Sequence, residues 1–334
     1  MRYFITGATG FIGGHVARQL IAAGHTVTAL IRTPAHAQDL AASGIQLAAG
    51  DITDKESMRA PKTGTDGVFH LAAWYKVGAK DKHVAENINV NGTRNVLELM
   101  RELRIPKGVY TSTLAVNSDT RGEVVDEWYR FTGDHLSEYD KTKWMAHYDV
   151  AVPLMKMTQS GLPLVILQPG VNYGPGDTSA MGNVLRDYLR GKLPMVPDKA
   201  AYCWAHVEDT ARVHLQAMEK GRTGENYFVG GPVHTLYDAL QIAESITGIR
   251  APRMKAAPGL LRFLSGVMSV LEKVVPVAET FASETLRVSA GATYLGTSAK
   301  AQRELGFQPR PLAEGLKETL QYELKALRRS TPKP

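Results

Sequence analysis

Arg2-Tyr-Phe-Ile-Thr-Gly-Ala-Thr-Gly-Phe-Ile-Gly-Gly14 is a short apolar run that breaks into glycines at Gly7, Gly10 and Gly13 and then into a helical pattern. The first glycine permits a tight turn, the second lets backbone approach a pyrophosphate, and the third lets the helix pack close to the strand. The helix then points its free N–H groups at phosphate. The expected cofactor cradle is therefore Gly7, Thr9, Gly10, Phe11, Ile12 and Gly13. Glycines at this spacing also arise by chance in a chain with 31 Gly, so context decides. Val16, Leu20 and Ile21 recur at helical spacing, Gly24 stops the helix, and His25 to Ile31 reads as a second strand. The whole is a βαβ unit of about 30 residues, and a β–α turn that binds nothing rarely needs three glycines.

With 334 residues and 44% hydrophobic content the chain can build a full core, and at ~150 residues per domain it holds about two lobes. The net charge of +6 is spread without a basic block apart from Lys325, Arg328, Arg329 and Lys333, which read as a solvated terminus rather than a nucleic-acid arm. A cationic excess suits anionic ligands, a phosphorylated cofactor among them. Cys203 is the only cysteine, which excludes an intrachain disulfide and points to a reducing compartment. A strand starting at residue 2 leaves no room for a signal peptide, so a cytoplasmic location is expected. Gly259 to Val277 is apolar but interrupted by Arg262, Glu272 and Lys273, which predicts a buried or lid helix rather than a membrane span.

Strand and helix signals alternate through the first half: Ile45 to Ala49, Gly67 to Ala72, a helix from about Val84 to Leu103, and a strand from Lys107 to Thr111. Ser137 to Ser160 reads as a second long helix with Ser137 and Asp140 placed like a capping box, followed by a strand from Leu162 to Leu167 that Pro169-Gly170 ends. This alternation predicts an α/β fold, a Rossmann-type doubly wound parallel sheet with helices on both faces. Beyond it, Gly174-Pro175-Gly176, Gly191 to Pro197 and Gly230-Gly231-Pro232 punctuate shorter elements. The expected organisation is a nucleotide-binding domain over 1–170 with a returning segment near 204–232, a smaller substrate lobe over 171–203 and 233–328, and a tail at 329–334.

The strand ending at Thr111 delivers Ser112 and Thr113 to the carboxyl edge of the sheet, where ligands of open α/β sheets bind. Tyr139 and Lys143 follow at helical spacing, so the phenol and the ammonium share a face. A cation held close favours the ionised phenol and lowers its ordinary pKa of ~10, which would suit Tyr139 to proton transfer near neutral pH. Tyr188 and Lys192 repeat the spacing, but Gly191 and Pro194 end that helix at once, and no strand-borne hydroxyl precedes it at a matching distance.

Thr6-Gly-Ala-Thr-Gly-Phe-Ile-Gly13, Asp51-Ile52, His70-Leu-Ala-Ala73, Asn89-Val-Asn-Gly-Thr93, Ser112-Thr113, Tyr139-x-x-x-Lys143 and Pro169-Gly170 resemble, in order and spacing, the extended short-chain dehydrogenase/reductases of the NAD-dependent epimerase/dehydratase family. The resemblance is specific from residue 6 to 170 and weaker beyond, and it leans to the dihydroflavonol reductase and hydroxysteroid dehydrogenase branch. It implies that Asp51 and Ile52 meet the adenine, that Leu71, Ala72 and Ala73 line the cofactor along with Pro169 and Val171, and that Lys143 also holds the nicotinamide ribose. It further implies a catalytic set of Thr113, Tyr139 and Lys143, with Ser112 the lesser candidate for the hydroxyl.

Strand two ends Leu30-Ile31-Arg32-Thr33, with no carboxylate to hold a ribose 2′-hydroxyl; a guanidinium there suits a 2′-phosphate, so NADP(H) is expected ahead of NAD. Relatives acting on nucleotide sugars usually grip the diphosphate with an arginine and an asparagine at positions occupied here by Tyr202 and Val171. Trp74, Tyr75, Leu114, Met181, Tyr202 and Trp204 are the expected pocket lining, suited to an apolar or aromatic molecule, although Trp204 reads equally well as a core aromatic. His206, Glu208 and Asp209 have no metal-ligand spacing, and no metal is expected. These residues predict an NADP(H)-dependent reductase of a hydrophobic ketone or aldehyde, in which Thr113 positions the carbonyl and Tyr139 protonates it. A nucleotide-sugar epimerase or dehydratase with tightly held cofactor is the alternative, and a non-catalytic NADP-binding sensor the next. The expected partner is a small molecule, with neither nucleic acid nor a membrane span; a homodimer is allowed but not signalled by the sequence.

Overall fold

Thirteen strands run through the described residues: β1 (Arg2–Thr6), β2 (Thr26–Ile31), β3 (Gln46–Ala49), β4 (Gly67–His70), β5 (Gly108–Thr111), β6 (Leu164–Pro169), β7 (Val171–Tyr173), β8 (Met195–Pro197), β9 (Ala201–His206), β10 (Asn226–Val229), β11 (Val233–Thr235), β12 (Met254–Ala256) and β13 (Thr293–Tyr294). The longer helices are α1 (Phe11–Ala22), α2 (Thr93–Glu102), α3 (Glu138–Met145), α4 (Ala180–Leu189), α5 (Val207–Lys220), α6 (Leu236–Thr247), α7 (Pro258–Leu271), α8 (Ser283–Ser289) and α9 (Leu312–Ser330). The computed structural model describes residues 1–78, 81–157, 161–272, 274–275, 277 and 282–330.

Seven strands form one parallel sheet in the order β10-β6-β5-β4-β1-β2-β3. The chain winds outward one way from β1 and the other way from β4, so the order reverses between them. The carboxyl ends of β1 and β4 open the crevice where such sheets take ligands. Both faces are covered, which is why the strands read as near-continuous apolar runs. Tyr3, Ile5, Phe69 and Val109 pack with Val16, Leu20 and Val213 on one face. Phe4, Val68, Tyr110 and Ile166 pack with Val96, Leu97 and Val150 on the other.

The helix expected from Val84 to Leu103 starts at Lys82, where Asp81 caps the N–H groups of His83 and Val84, and passes through a π-helical segment at Asn87–Gly92 before α2. The helix expected from Ser137 likewise runs from α3 through a π-helical segment at Ala146–Ala151 to Lys156; the last residues of that expectation, 158–160, lie outside the described ones. Ser137 caps α3 by accepting from Asp140 N, but the expected reciprocal box is not made: the Asp140 carboxylate takes the Ser137 hydroxyl instead of the backbone N–H. The reciprocal box occurs at Thr235 and Asp238, at the start of α6.

Gly170 alone separates β6 from β7, and there the chain leaves the large sheet for a second one in which β9 pairs with β7, β11 and β13. A side chain at Gly170 would collide with the Cys203 carbonyl, so glycine is needed to turn this corner. Trp204, Tyr173, Leu185, Leu240 and Leu316 fill the core between this sheet and α4, α6 and α9. The chain returns to the large sheet through α5, which packs on α1, and β10. Tyr188 sits in the lobe's core with its hydroxyl bonded to Thr247 Oγ1 and the Ile249 carbonyl.

The apolar stretch expected as a buried or lid helix forms α7 but is not buried; Lys273 of that stretch lies outside the described residues. Leu261 and Ser265 are buried, but Leu260, Phe263, Leu264, Val267, Val270 and Leu271 are exposed, so the apolar arc faces outward rather than into a core. Among the described residues no helix is long and apolar enough to cross a membrane.

Lys62 is fully buried with its amine donating to the Val96 carbonyl, and burial lowers its pKa to about 7. Its folded pKa thus lies below the ~10.4 of an unfolded chain, so between pH ~7 and ~10 the unfolded state holds a proton the folded state lacks. Stability should rise with pH through that window, by up to ~1.4 kcal/mol per pH unit for one such group. Lys62→Met should flatten this rise in denaturant titrations at pH 7, 8.5 and 10. An unchanged slope would show that Lys62 keeps its charge in the fold.

Candidate active site

Gly7 sits at φ +81° at the end of β1, with the Ala72 backbone against it, so a side chain there is excluded by both conformation and space. A side chain on Gly13 would strike the Gly7 carbonyl. Gly10 is different: an added Cβ would meet only Gly7 O, at 3.2 Å, and Gly10 begins α1 with no side-chain cap and no acid in the first turn. The bare N-terminus of α1 thus leaves room and free N–H donors for an anion, which fits the pyrophosphate of a dinucleotide.

Thr9, Phe11 and Ile12 frame that N-terminus. Leu71, Ala72 and Ala73 follow β4, and Ala72 N donates to Thr6 Oγ1. Asp51 follows β3 and turns its carboxylate onto Thr53, while Ile52 is buried against Gly92. Arg32 follows β2, is exposed, and has no hydrogen bond or ion pair among the described residues. Pro169 ends β6 and Val171 starts β7.

At the end of β5 successive side chains diverge. Ser112 Oγ is buried and bonded to His147 Nδ1 at 2.9 Å, whereas Thr113 Oγ1 accepts from Ala115 N and lies near enough to the Tyr139 phenol to lower its pKa. The structure therefore brings Thr113, and not Ser112, to Tyr139. Lys143 lies one turn below, buried, donating to Tyr110 Oη at 3.2 Å and the Thr111 carbonyl at 3.0 Å. Burial lowers the Lys143 amine to about 7 and pushes the Tyr139 phenol well above its ordinary value, with the neighbouring Tyr75 adding to the rise and the nearby Thr113 hydroxyl opposing it. The expectation that Lys143 lowers the phenol is not met here: desolvation dominates both groups, and the amine is engaged by β5. A phenol kept protonated is a proton donor.

Tyr75 packs edge-on against Tyr139, with ring centroids 4.8 Å apart. Trp74 is fixed at its backbone by Asn89, whose Oδ1 accepts from Trp74 N at 2.7 Å and whose Nδ2 donates to the Trp74 carbonyl and to Thr142 Oγ1. Asn89 thus ties the cofactor-side loop to the tyrosine helix. Its motif stood out in the sequence, but its bonding could not be read there. Glu284 gave no sequence signal: from α8 it accepts from Gly78 N and Glu138 N, joining the substrate lobe to the start of α3. Nor did Tyr294, which donates to the buried Asp140 carboxyl, raised to about 7 by burial, and stacks on Tyr202.

Met181 and Tyr202 pack in the same core of the second lobe as Trp204, Met181 buried and Tyr202 half-buried. Two expected lining residues do not reach the crevice. Trp204 is 1% exposed and packs on Tyr173 in the lobe core, its indole N–H given to the His234 carbonyl. Leu114 is buried in a separate cluster with Cys203, Phe228 and Leu295. Trp204 lies mid-strand in β9 and Leu114 in the turn after β5, both turned into packed cores, and sequence order alone does not distinguish that from a cleft.

His206, Glu208 and Glu318 have ligand atoms close enough to surround an ion, but the Arg310 guanidinium bonds Glu208, Asp209 and Glu318 and supplies positive charge to that cluster.

The fold and this constellation define an extended short-chain dehydrogenase/reductase. Residues 3–230 match the NAD dependent epimerase/dehydratase family, and the chain belongs to it. It is 30% identical over 319 residues to sterol demethylase protein B of Methylococcus capsulatus, covering 92% of this chain and 94% of that one. It is 31% identical over 343 residues to a 4-hydroxy-2-methyl-3-oxo-4-farnesyl-3,4-dihydroquinoline-1-oxide ketoreductase of Stigmatella aurantiaca, covering 99% and 97%. Among solved structures, gox2253 superposes with a TM-score of 0.83 at 28% identity, covering 98% of each chain. The UDP-glucose 4-epimerase of Thermotoga maritima, at 22% identity and a TM-score of 0.76 over 98% of this chain and 100% of that one, shares the fold. The protein is an NAD(P)-dependent enzyme of the oxidoreductase/epimerase type.

Proposed function

We infer that the protein is an NADP(H)-dependent reductase of a ketone or aldehyde on a hydrophobic small molecule. The observation that carries this reading is the Thr113–Tyr139 pair, a protonated phenol with a neighbouring hydroxyl, beside the Tyr75 ring. Tyr202 and Val171 stand where a diphosphate grip is expected, and Asn172 turns its Nδ2 back to the Gly170 carbonyl. The two arginines of α4 and its end are committed: Arg186 to Asp177 O, Asn183 and Glu323, Arg190 to Asp187.

The bound cofactor supplies the hydride. Thr113 orients the substrate carbonyl by hydrogen bond, and Tyr139 donates the proton that the nascent alkoxide requires. Lys143, its amine lowered to about 7 by burial, holds the β5 edge through Tyr110 and the Thr111 carbonyl and is the residue we assign to the cofactor ribose. Arg32, unpaired at the end of β2, suits a 2′-phosphate. The relatives named as a ketoreductase and, in Shewanella oneidensis, as a 2-alkyl-3-oxoalkanoate reductase support carbonyl reduction on apolar frameworks.

A turnover screen of carbonyl compounds with NADPH, followed at the nicotinamide absorbance, tests the reaction; no turnover of any ketone or aldehyde would overturn it. The substrate class is tested separately. UDP and UDP-glucose should give no heat on titration into the NADP-loaded protein, because two phosphate charges would be desolvated without a cationic partner. Micromolar affinity would assign the crevice to a nucleotide sugar.

A further inference from the structure

The outward face of α7 is unusual for a surface helix. Phe263 is 67% exposed and Val270 64%, and Leu260, Val267 and Leu271 share their side; Val274, just past the helix, is 83% exposed. At 100° per residue these side chains fall in one arc opposite the buried Leu261 and Ser265. Contiguous exposed apolar surface of this kind marks an interaction site.

The surroundings of the helix select its occupant. Ala257 joins α7 directly to β12, which pairs with β8 so that Met254 lies beside Met195, both exposed. The segments carrying these two strands, residues 190–200 and 250–257, bear exposed Lys192, Lys199, Arg250 and Arg253 with no ion pair among the described residues, beside Lys255, paired with Asp198, and Arg190, paired with Asp187. An apolar helix face bordered by cations matches an anionic lipid surface, where apolar side chains enter the acyl boundary and cations meet the headgroups. A second copy of the chain is the competing occupant. A helix face roughly 21 Å by 10 Å, about 200 Å², is far below the ~800 Å² per partner of a stable interface.

We propose that α7 and the β8–β12 cations dock the enzyme on anionic membranes, placing the crevice mouth against the bilayer so that apolar substrate enters from the lipid. Ser265 Oγ of α7 donates to the Ser283 carbonyl of α8, and Glu284 of α8 holds Gly78 N and Glu138 N beside Tyr139. The docking face and the proton donor are thus two hydrogen-bonded steps apart. Docking stands on the surface alone; the lipid route for substrate rests on the reductase reading.

The test is flotation of the full chain with phosphatidylcholine vesicles, with and without one-quarter phosphatidylglycerol, at 0.05 and 0.5 M salt. The protein should float with the anionic vesicles at low salt. High salt should weaken binding, and the Phe263→Asp, Val270→Asp double variant should bind at least 10-fold more weakly while its NADPH affinity and melting temperature stay unchanged. No flotation, or equal flotation on phosphatidylcholine alone, would overturn the proposal. So would a solution dimer that the double variant splits, which would give the face to a second copy. Turnover of a water-soluble carbonyl without vesicles reads the reductase assignment independently. If that fails while flotation succeeds, the docking stands and the lipid route falls.

Discussion

Tyr139→Phe should lower turnover by at least ~10²-fold, the scale of a lost general acid, while NADPH affinity changes little. The hydroxyl removed is the one beside Thr113, and burial holds it protonated, so the loss falls on proton delivery. The ring itself, packed edge-on against Tyr75, is kept by phenylalanine, which protects the fold. Single-turnover kinetics with saturating NADPH separate the chemical step from binding; activity within a few fold of the parent would refute the assignment. Lys143→Met should weaken both turnover and cofactor binding, because the amine fixes the Thr111 carbonyl and Tyr110 at the end of β5 and is the group proposed to hold the cofactor ribose.

Arg32→Ala should weaken NADPH by roughly 1.5–3 kcal/mol, the scale of a lost hydrogen bond to a charged group, or about 10- to 150-fold in Kd. NADH binding should hardly change. The side chain is exposed and unpaired among the described residues, so its removal breaks no internal contact and the difference between the two cofactors reports the 2′-phosphate alone. Fluorescence titration of both cofactors decides it, and equal losses would show that the guanidinium stacks on the adenine instead.

The large sheet was legible because its signals are local. A parallel strand buried on both faces must be apolar along its length, and the strands read at Gly67 to Ala72 and Lys107 to Thr111 stand in the structure at Gly67–His70 and Gly108–Thr111. The glycine cradle was legible for the same reason, since Gly7 needs a conformation and a clearance that other residues cannot supply. What escaped depends on contacts distant in sequence. Glu284 reaches Glu138 across 146 positions and Tyr294 reaches Asp140 across 154, and neither carries a local mark. Trp204 and Leu114 failed as lining because an aromatic or aliphatic side chain looks alike in a core and in a cleft. For α7 the periodicity was correct and its direction was not: a 3.6-residue repeat tells which residues share a side, but not whether water or protein faces it.

Gly170 has a mechanical consequence. A hinge distributes rotation over several residues with free backbone torsions, but here one glycine, wedged against the Cys203 carbonyl, is all that joins β6 to β7. The cofactor-side sheet and the sheet carrying Tyr202 are therefore coupled at the crevice floor with almost no slack. The floor then acts as a fixed ruler between the two halves, and fitting substrates of different size falls to the rim, where α8 is held by a handful of hydrogen bonds from Glu284 and Arg287.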